Sequence, residues 1–101
     1  MIRHILFWKL QEKYTAGPEA DAALNALRAS VETLRDIPGL LRAEIGPNLA
    51  GGDYGLVFYA EFADAAALED FREHPLHVAH RERCAPYVTG RLAGDLETAA
   101  L

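Results

Sequence analysis

From Ile2 to Leu10 the side chains alternate with the period of two that predicts a β-strand. His4, Leu6, Trp8 and Leu10 fall on one face and Ile5, Phe7 and Lys9 on the other. Both faces are apolar, so the strand belongs to a sheet covered on each side. After Gly17-Pro18 the period lengthens: Ala20, Ala23, Leu24, Leu27, Val31 and Leu34 recur at three- and four-residue intervals, the mark of an amphipathic helix. Pro18 suits its first turn, Glu19 and Asp21 suit the positive end of its dipole, and Ile37-Pro38-Gly39 stops it.

Alternation returns at Leu41, Ala43 and Ile45 for a second strand, closed by Gly46-Pro47. A turn-rich stretch from Asn48 to Asp53 leads to a third strand, with Tyr54, Leu56, Phe58, Ala60 and Phe62 on one face and Val57, Tyr59 and Glu61 on the other. Asp64 is placed to cap a second helix that buries Leu68 and Phe71. That helix ends near Glu73, because Pro75 holds His74 out of the helical conformation. A further short helix from about Leu76 to Ala85 sets His77 and His80 on one face, and Pro86 ends it. The last strand runs from about Tyr87 to Leu96, and Thr98 to Leu101 is expected to be a frayed tail.

The order β-α-β-β-α-β predicts an α+β, ferredoxin-like domain over residues 1–97, with one four-stranded antiparallel sheet and its helices on one face. The other face needs a cover. A second copy packed sheet to sheet supplies one, giving a two-fold homodimer and a dimeric α/β barrel. A chain of 101 residues builds only a small core, so it gains from burying more apolar surface in this way.

Charge narrows the partners. The net charge is -5 and no basic run occurs, which argues against nucleic acid. Arg72, Arg81, Arg83 and Arg91 are interleaved with Glu73, Glu82 and Asp95, the pattern of a solvated face. Cys84 is the only cysteine, which excludes an intrachain disulfide and fits a reducing cytoplasm. The apolar opening is charged at Arg3 and Lys9 and lacks a small-residue cleavage site, so it is expected to be a strand rather than a signal peptide. Nothing later approaches the ~20 apolar residues of a membrane-spanning helix. A cytoplasmic protein with no membrane partner is the expectation.

Candidate chemistry concentrates in Glu73-His74-Pro75-Leu76-His77-Val78, where two imidazoles flank a proline. With an ordinary pKa near ~6.5, histidine is suited to moving protons near neutrality. His77 has two readings: a general base that abstracts a proton alpha to a carbonyl, or a helix-start histidine whose ring bonds the backbone. His74 is read as structural. His4 either points into a cavity or is a satisfied core histidine. His4, His77 and His80 would make a metal site if they converged, but spacing supplies no acidic or thiolate partner, and no metal is expected. Trp8 and Phe71 are either a stacking wall for a flat ligand or plain core, and Trp8 could fill the space itself. Tyr59 and Tyr87 are possible sources of a hydroxyl, although alternation puts Tyr59 on the face opposite Phe58. Cys84 reads as a small buried hydrophobe, and Gly51-Gly52 as a turn rather than a phosphate loop.

Ile2-Arg3-His4-Ile5-Leu6-Phe7, Ile37-Pro38-Gly39-Leu40, Glu44-Ile45-Gly46, Asp53-Tyr54, Glu61-Phe62, His74-Pro75-Leu76-His77-Val78 and the closing stretch from Arg91 to Asp95 stand in order along nearly the whole chain. Together they resemble the stress-responsive A/B barrel (Dabb) domain family. The resemblance implies a dimeric α+β barrel with a cavity between helices and sheet in each subunit. Its enzymatic members are similar to plant polyketide cyclases of the olivetolic acid cyclase type, which carry out an aldol closure without cofactor. That likeness implies His77 as base and His4 as a second catalytic histidine; Leu6, Trp8, Phe71, Val78 and His80 are expected, from their places in the predicted elements, to line the cavity and bind substrate. The tyrosine that assists the base in those enzymes is replaced by Phe71, which has no hydroxyl. Three functions stay open: a ligand-binding cyclase or lyase acting on a small apolar or aromatic compound, a non-catalytic stress-response dimer with a filled pocket, and a cofactor-free monooxygenase or haem-binding barrel with His77 or His80 as axial ligand. The missing tyrosine favours the second over a copied cyclase mechanism.

Overall fold

The computed structural model describes residues 1–98. Strand β1 (Ile2–Leu10) is followed by a short 3-10 turn (Glu12–Tyr14), helix α1 (Gly17–Glu32), strands β2 (Leu40–Pro47) and β3 (Leu56–Phe62), helices α2 (Ala65–Glu73) and α3 (Pro75–Cys84), and strand β4 (Val88–Glu97). The four strands form one antiparallel sheet in the order β2-β3-β1-β4. This is the predicted ferredoxin-like arrangement, with the second helical segment divided at Pro75.

Local chemistry sets the helix boundaries. The Asp64 carboxylate accepts the Ala67 N–H at 2.8 Å and caps α2. His74 takes the extended conformation that Pro75 requires, and its ring Nδ1 accepts the Leu76 N–H at 3.1 Å, so the same residue ends α2 and caps α3. The structural role expected of His74 is this one. Gly39 has φ +82, and its carbonyl accepts the Ala63 N–H at 2.9 Å. A side chain there would bring its Cβ to 2.5 Å from that of Ala67, so glycine lets the α1–β2 turn touch α2.

The core lies between the helices and one face of the sheet. Leu27, Val31 and Leu34 come down from α1 and its exit turn onto Ile45, Leu56, Phe58 and Phe62, while Leu68, Phe71 and Cys84 close the other end. Along β3 the alternation is regular: Leu56, Phe58, Ala60 and Phe62 are buried, and Val57, Tyr59 and Glu61 half-buried on the opposite face.

Two bulges interrupt the predicted alternation. Leu40 pairs with Phe62 and Arg42 with Glu61, which leaves Leu41 as an extra residue, 59% exposed, instead of on the face of Ala43 and Ile45. On β4, Leu92 pairs with Phe7 and Thr89 with Lys9, so Gly90 and Arg91 together stand opposite Trp8. Gly90, at φ +61, takes the left-handed turn this needs. Tyr54 also differs from expectation. It precedes β3, and its ring meets Phe7 edge-on at 6.5 Å, which puts it beside the open face rather than with Phe58.

That open face carries Ile5, Phe7, Val57, Tyr59, Leu92 and Leu96 and no helix. Leu92 and Leu96 are more than half exposed. Thr98 is tied to Met1, whose carbonyl accepts its N–H at 3.0 Å; the rest of the expected frayed tail, 99–101, lies outside the described residues. Among the described residues no helix is long and apolar enough to cross a membrane.

Candidate functional site

The period of two brings His4, Leu6 and Trp8 of β1 to the helix side of the sheet, and antiparallel register sets Asp95 of β4 directly across from His4. His4 Nδ1 and Asp95 Oδ1 are 2.5 Å apart, with Nδ1–H donating to the carboxylate. The Arg72 guanidinium lies 3.6 Å from the other carboxylate oxygen. Phe58 and Phe62 present their rings to the buried His4 at 6.1 and 6.4 Å, so packing and a charged partner together hold the imidazole.

Helix α3 supplies the opposite wall. His77, His80, Arg81 and Cys84, at positions i, i+3, i+4 and i+7, form one face over the cavity. Val78 is one residue, about 100°, further round the helix. It does not line the cavity, which corrects its place among the expected substrate-binding residues.

His77 Nδ1 lies 3.1 Å from the Arg72 backbone carbonyl, to which it donates. Nε2 is therefore left with its lone pair. The ring stacks on Phe71 at 4.0 Å. Burial lowers its pKa from the ordinary histidine value against the pull of the Arg72 carbonyl, and the positive charges of Arg81 and Arg91 act in the same direction as burial. The backbone bond posed for His77 is made through Nδ1 and leaves Nε2 without that partner.

His80 is buried, 2% exposed, and its Nδ1 is 2.8 Å from Ser30 Oγ on α1. The Arg83 Nε–H donates to the same oxygen at 3.0 Å, and Arg83 Nη2 donates to Thr33 Oγ1 at 2.8 Å. The Ser30 hydroxyl, with two lone pairs and one proton, thus joins the His80 ring to Arg83. Burial, followed by neighbouring His77, pulls the His80 pKa down to about 4. The Cys84 sulfur lies 3.7 Å from both ring nitrogens, and burial pushes its thiol pKa up, so it stays neutral and packs as an apolar group.

These walls enclose a cavity of about 460 Å³ between β1, β4, α2 and α3. That volume falls in the range of small-molecule sites. His4, Leu6, Trp8, Phe71, His77 and His80 all line it, together with Phe58, Leu68 and Val88. Phe71 is both core and wall, 2% exposed; Trp8 stands half-buried beside the space without filling it. Neither tyrosine replaces the hydroxyl absent at Phe71. Tyr59 donates to Glu61 at 2.6 Å on the open face, and Tyr87 packs on Tyr14 at 5.0 Å. Among the described residues no three His, Cys, Asp or Glu side chains converge as a metal site.

Sequence reasoning missed Asp95, whose signal lies only in the β1–β4 register, and Ser30, whose signal would be a hydroxyl on the buried stripe of α1. It also placed the arginines on a solvated face. All four are exposed, as expected, and Arg72, Arg81 and Arg91 also border the cavity, while Arg83 bonds to Ser30 and Thr33.

The sequence model of the stress responsive A/B barrel domain, Dabb, matches residues 2–98. Among solved structures, a dimeric protein of unknown function and ferredoxin-like fold from Bacteroides fragilis is 25% identical, with 96% of this chain and 95% of that one covered at a TM-score of 0.80. A Dabb family protein with a ferredoxin-like fold from Mesorhizobium loti is 29% identical, with 98% and 97% covered at 0.76. A candidate antibiotic biosynthesis monooxygenase from Deinococcus radiodurans is 12% identical, with 100% and 95% covered at 0.77, and shares the fold alone. No curated protein matches the chain.

Proposed function

Because the chain belongs to the stress-responsive A/B barrel domain family, we propose that it works as a homodimer, closed through its open sheet face, whose cavity binds a small apolar or aromatic ligand and moves protons on it by cofactor-free acid–base chemistry. Two features support the dimer: the uncovered apolar face of β1, β3 and β4, and the description of the Bacteroides fragilis relative as dimeric.

One observation carries the chemical reading. The Nδ1–H of His77 is committed to the Arg72 carbonyl, so Nε2 is a free base on a ring that burial keeps neutral. A carbonyl compound with an acidic C–H beside it would give that proton to Nε2. Negative charge then grows on the carbonyl oxygen, for which the His80 imidazole in the cavity wall, anchored to Ser30, is the proposed hydrogen-bond donor. His4, oriented by Asp95, is the second proton-transfer group. This assigns the chain to cyclase or lyase chemistry with His77 as base, and gives His80 the donor role left empty by Phe71. The open cavity weighs against a dimer with a filled pocket.

Incubation with an acetoacetyl thioester of N-acetylcysteamine in D₂O, followed by proton NMR, tests the assignment. The protein is expected to accelerate exchange at the carbon between the carbonyls, and His77→Ala to cut that rate by about 10²–10⁴-fold while its circular dichroism is retained. Exchange no faster than in buffer would leave the non-catalytic dimer.

A further inference from the structure

The cavity is graded in a way that the ligand-binding reading does not use. Its interior is apolar at Leu6, Trp8 and Phe71, yet Arg81 of α3 and Arg91 of β4 border the same space. Arg72 nearby is engaged by Glu69 at 3.2 Å and by Asp95 at 3.6 Å. Among the described residues no carboxylate lies within 4 Å of the Arg81 or Arg91 guanidinium. Two unneutralised guanidiniums from different elements, beside one apolar cavity in a chain of net charge -5, are not a consequence of overall composition.

The backbone supports the placement. The extra residue on β4 sets Gly90 and Arg91 together opposite Trp8, and both border the cavity. Bulges re-aim side chains in this manner beside binding sites. The two arginines also depress the His77 pKa, which places their charge within electrostatic reach of the base.

We propose that the ligand is an organic carboxylate whose acid group is held by Arg81 and Arg91, with its apolar or aromatic body against Trp8, Leu6 and Phe71. Guanidinium forks match carboxylates in a bidentate, charge-assisted geometry that an amide of the same shape cannot supply. The carboxylate would fix which end of the ligand faces out and thereby which carbon meets His77. This inference rests on the ligand-binding reading of the cavity.

The test compares 1-naphthoate with its neutral isostere 1-naphthamide by isothermal titration calorimetry, with emission from Trp8, the single tryptophan, as an independent signal from the cavity wall. The wild-type protein is expected to bind the carboxylate about tenfold or more tighter than the amide, with a preference that shrinks as salt is raised. In the double variant Arg81→Gln/Arg91→Gln the ratio of the two affinities is expected to fall close to one. Equal affinities in the wild type, or a preference that survives the double substitution, would overturn the carboxylate assignment and leave the ligand-binding reading standing. Binding of neither probe would overturn both.

Discussion

At the scale of single residues, the site depends on which nitrogen of each imidazole is occupied. In the proposed role as base His77 must be neutral to accept a proton, and its pKa is lowered, chiefly by burial. The neutral form therefore persists to more acid pH than in an ordinary histidine. The acid limb of the pH profile of exchange, measured as kcat/KM, is expected to fall below pH 6.5. His80 has a stability consequence of definite sign. Its folded pKa of about 4 lies below the ordinary 6.5, so the unfolded chain binds the proton first. Its contribution is complete above pH 6.5 and is lost as pH falls toward 4, on the order of 2–3 kcal/mol for this buried ring. Urea midpoints across that window should drop more steeply for wild type than for His80→Asn. Ser30→Ala strips the partner from buried Nδ1 and is expected to cost about 1–3 kcal/mol in the same assay at neutral pH.

At the scale of elements, much of the fold was legible. Alternation bounds β1, the Asp64 cap starts α2, and Pro75 divides the second helical segment, because each signal is local and steric. Bulges are decided by pairing between strands distant in sequence, so Leu41 and Gly90-Arg91 had no local signature. The same limit hid the arginines at the cavity, and Asp95, which meets His4 from 91 residues away. Helical period, by contrast, was available to reject Val78, since it cannot share the face of His77, His80 and Cys84. Gly39→Ala tests the α1–β2 turn. The left-handed backbone and the 2.5 Å approach to Ala67 together predict a loss of more than about 1 kcal/mol in thermal or urea unfolding.

At the scale of the whole molecule, one small core is covered by helices on a single face, and the exposed sheet face is the natural place for another copy. A dimeric mass is expected by analytical ultracentrifugation at micromolar concentration. Leu92→Lys, which sets a charge amid that apolar face, is expected to shift the population to monomer. A wild-type monomer at the same concentration would refute the proposed assembly.

Strand β4 gives the two faces a common carrier. Asp95 points inward to orient His4, while Leu92 and Leu96, three and one positions away, point outward to where a second copy would sit. In the proposed dimer, association of subunits and the alignment of His4 would be linked through one edge strand. Linkage is reciprocal: if dimer closure favours ligand by some factor, ligand favours closure by the same factor. Under that linkage protein concentration would act as an allosteric variable, and the exchange activity per chain is expected to decline on dilution and to be restored by saturating ligand.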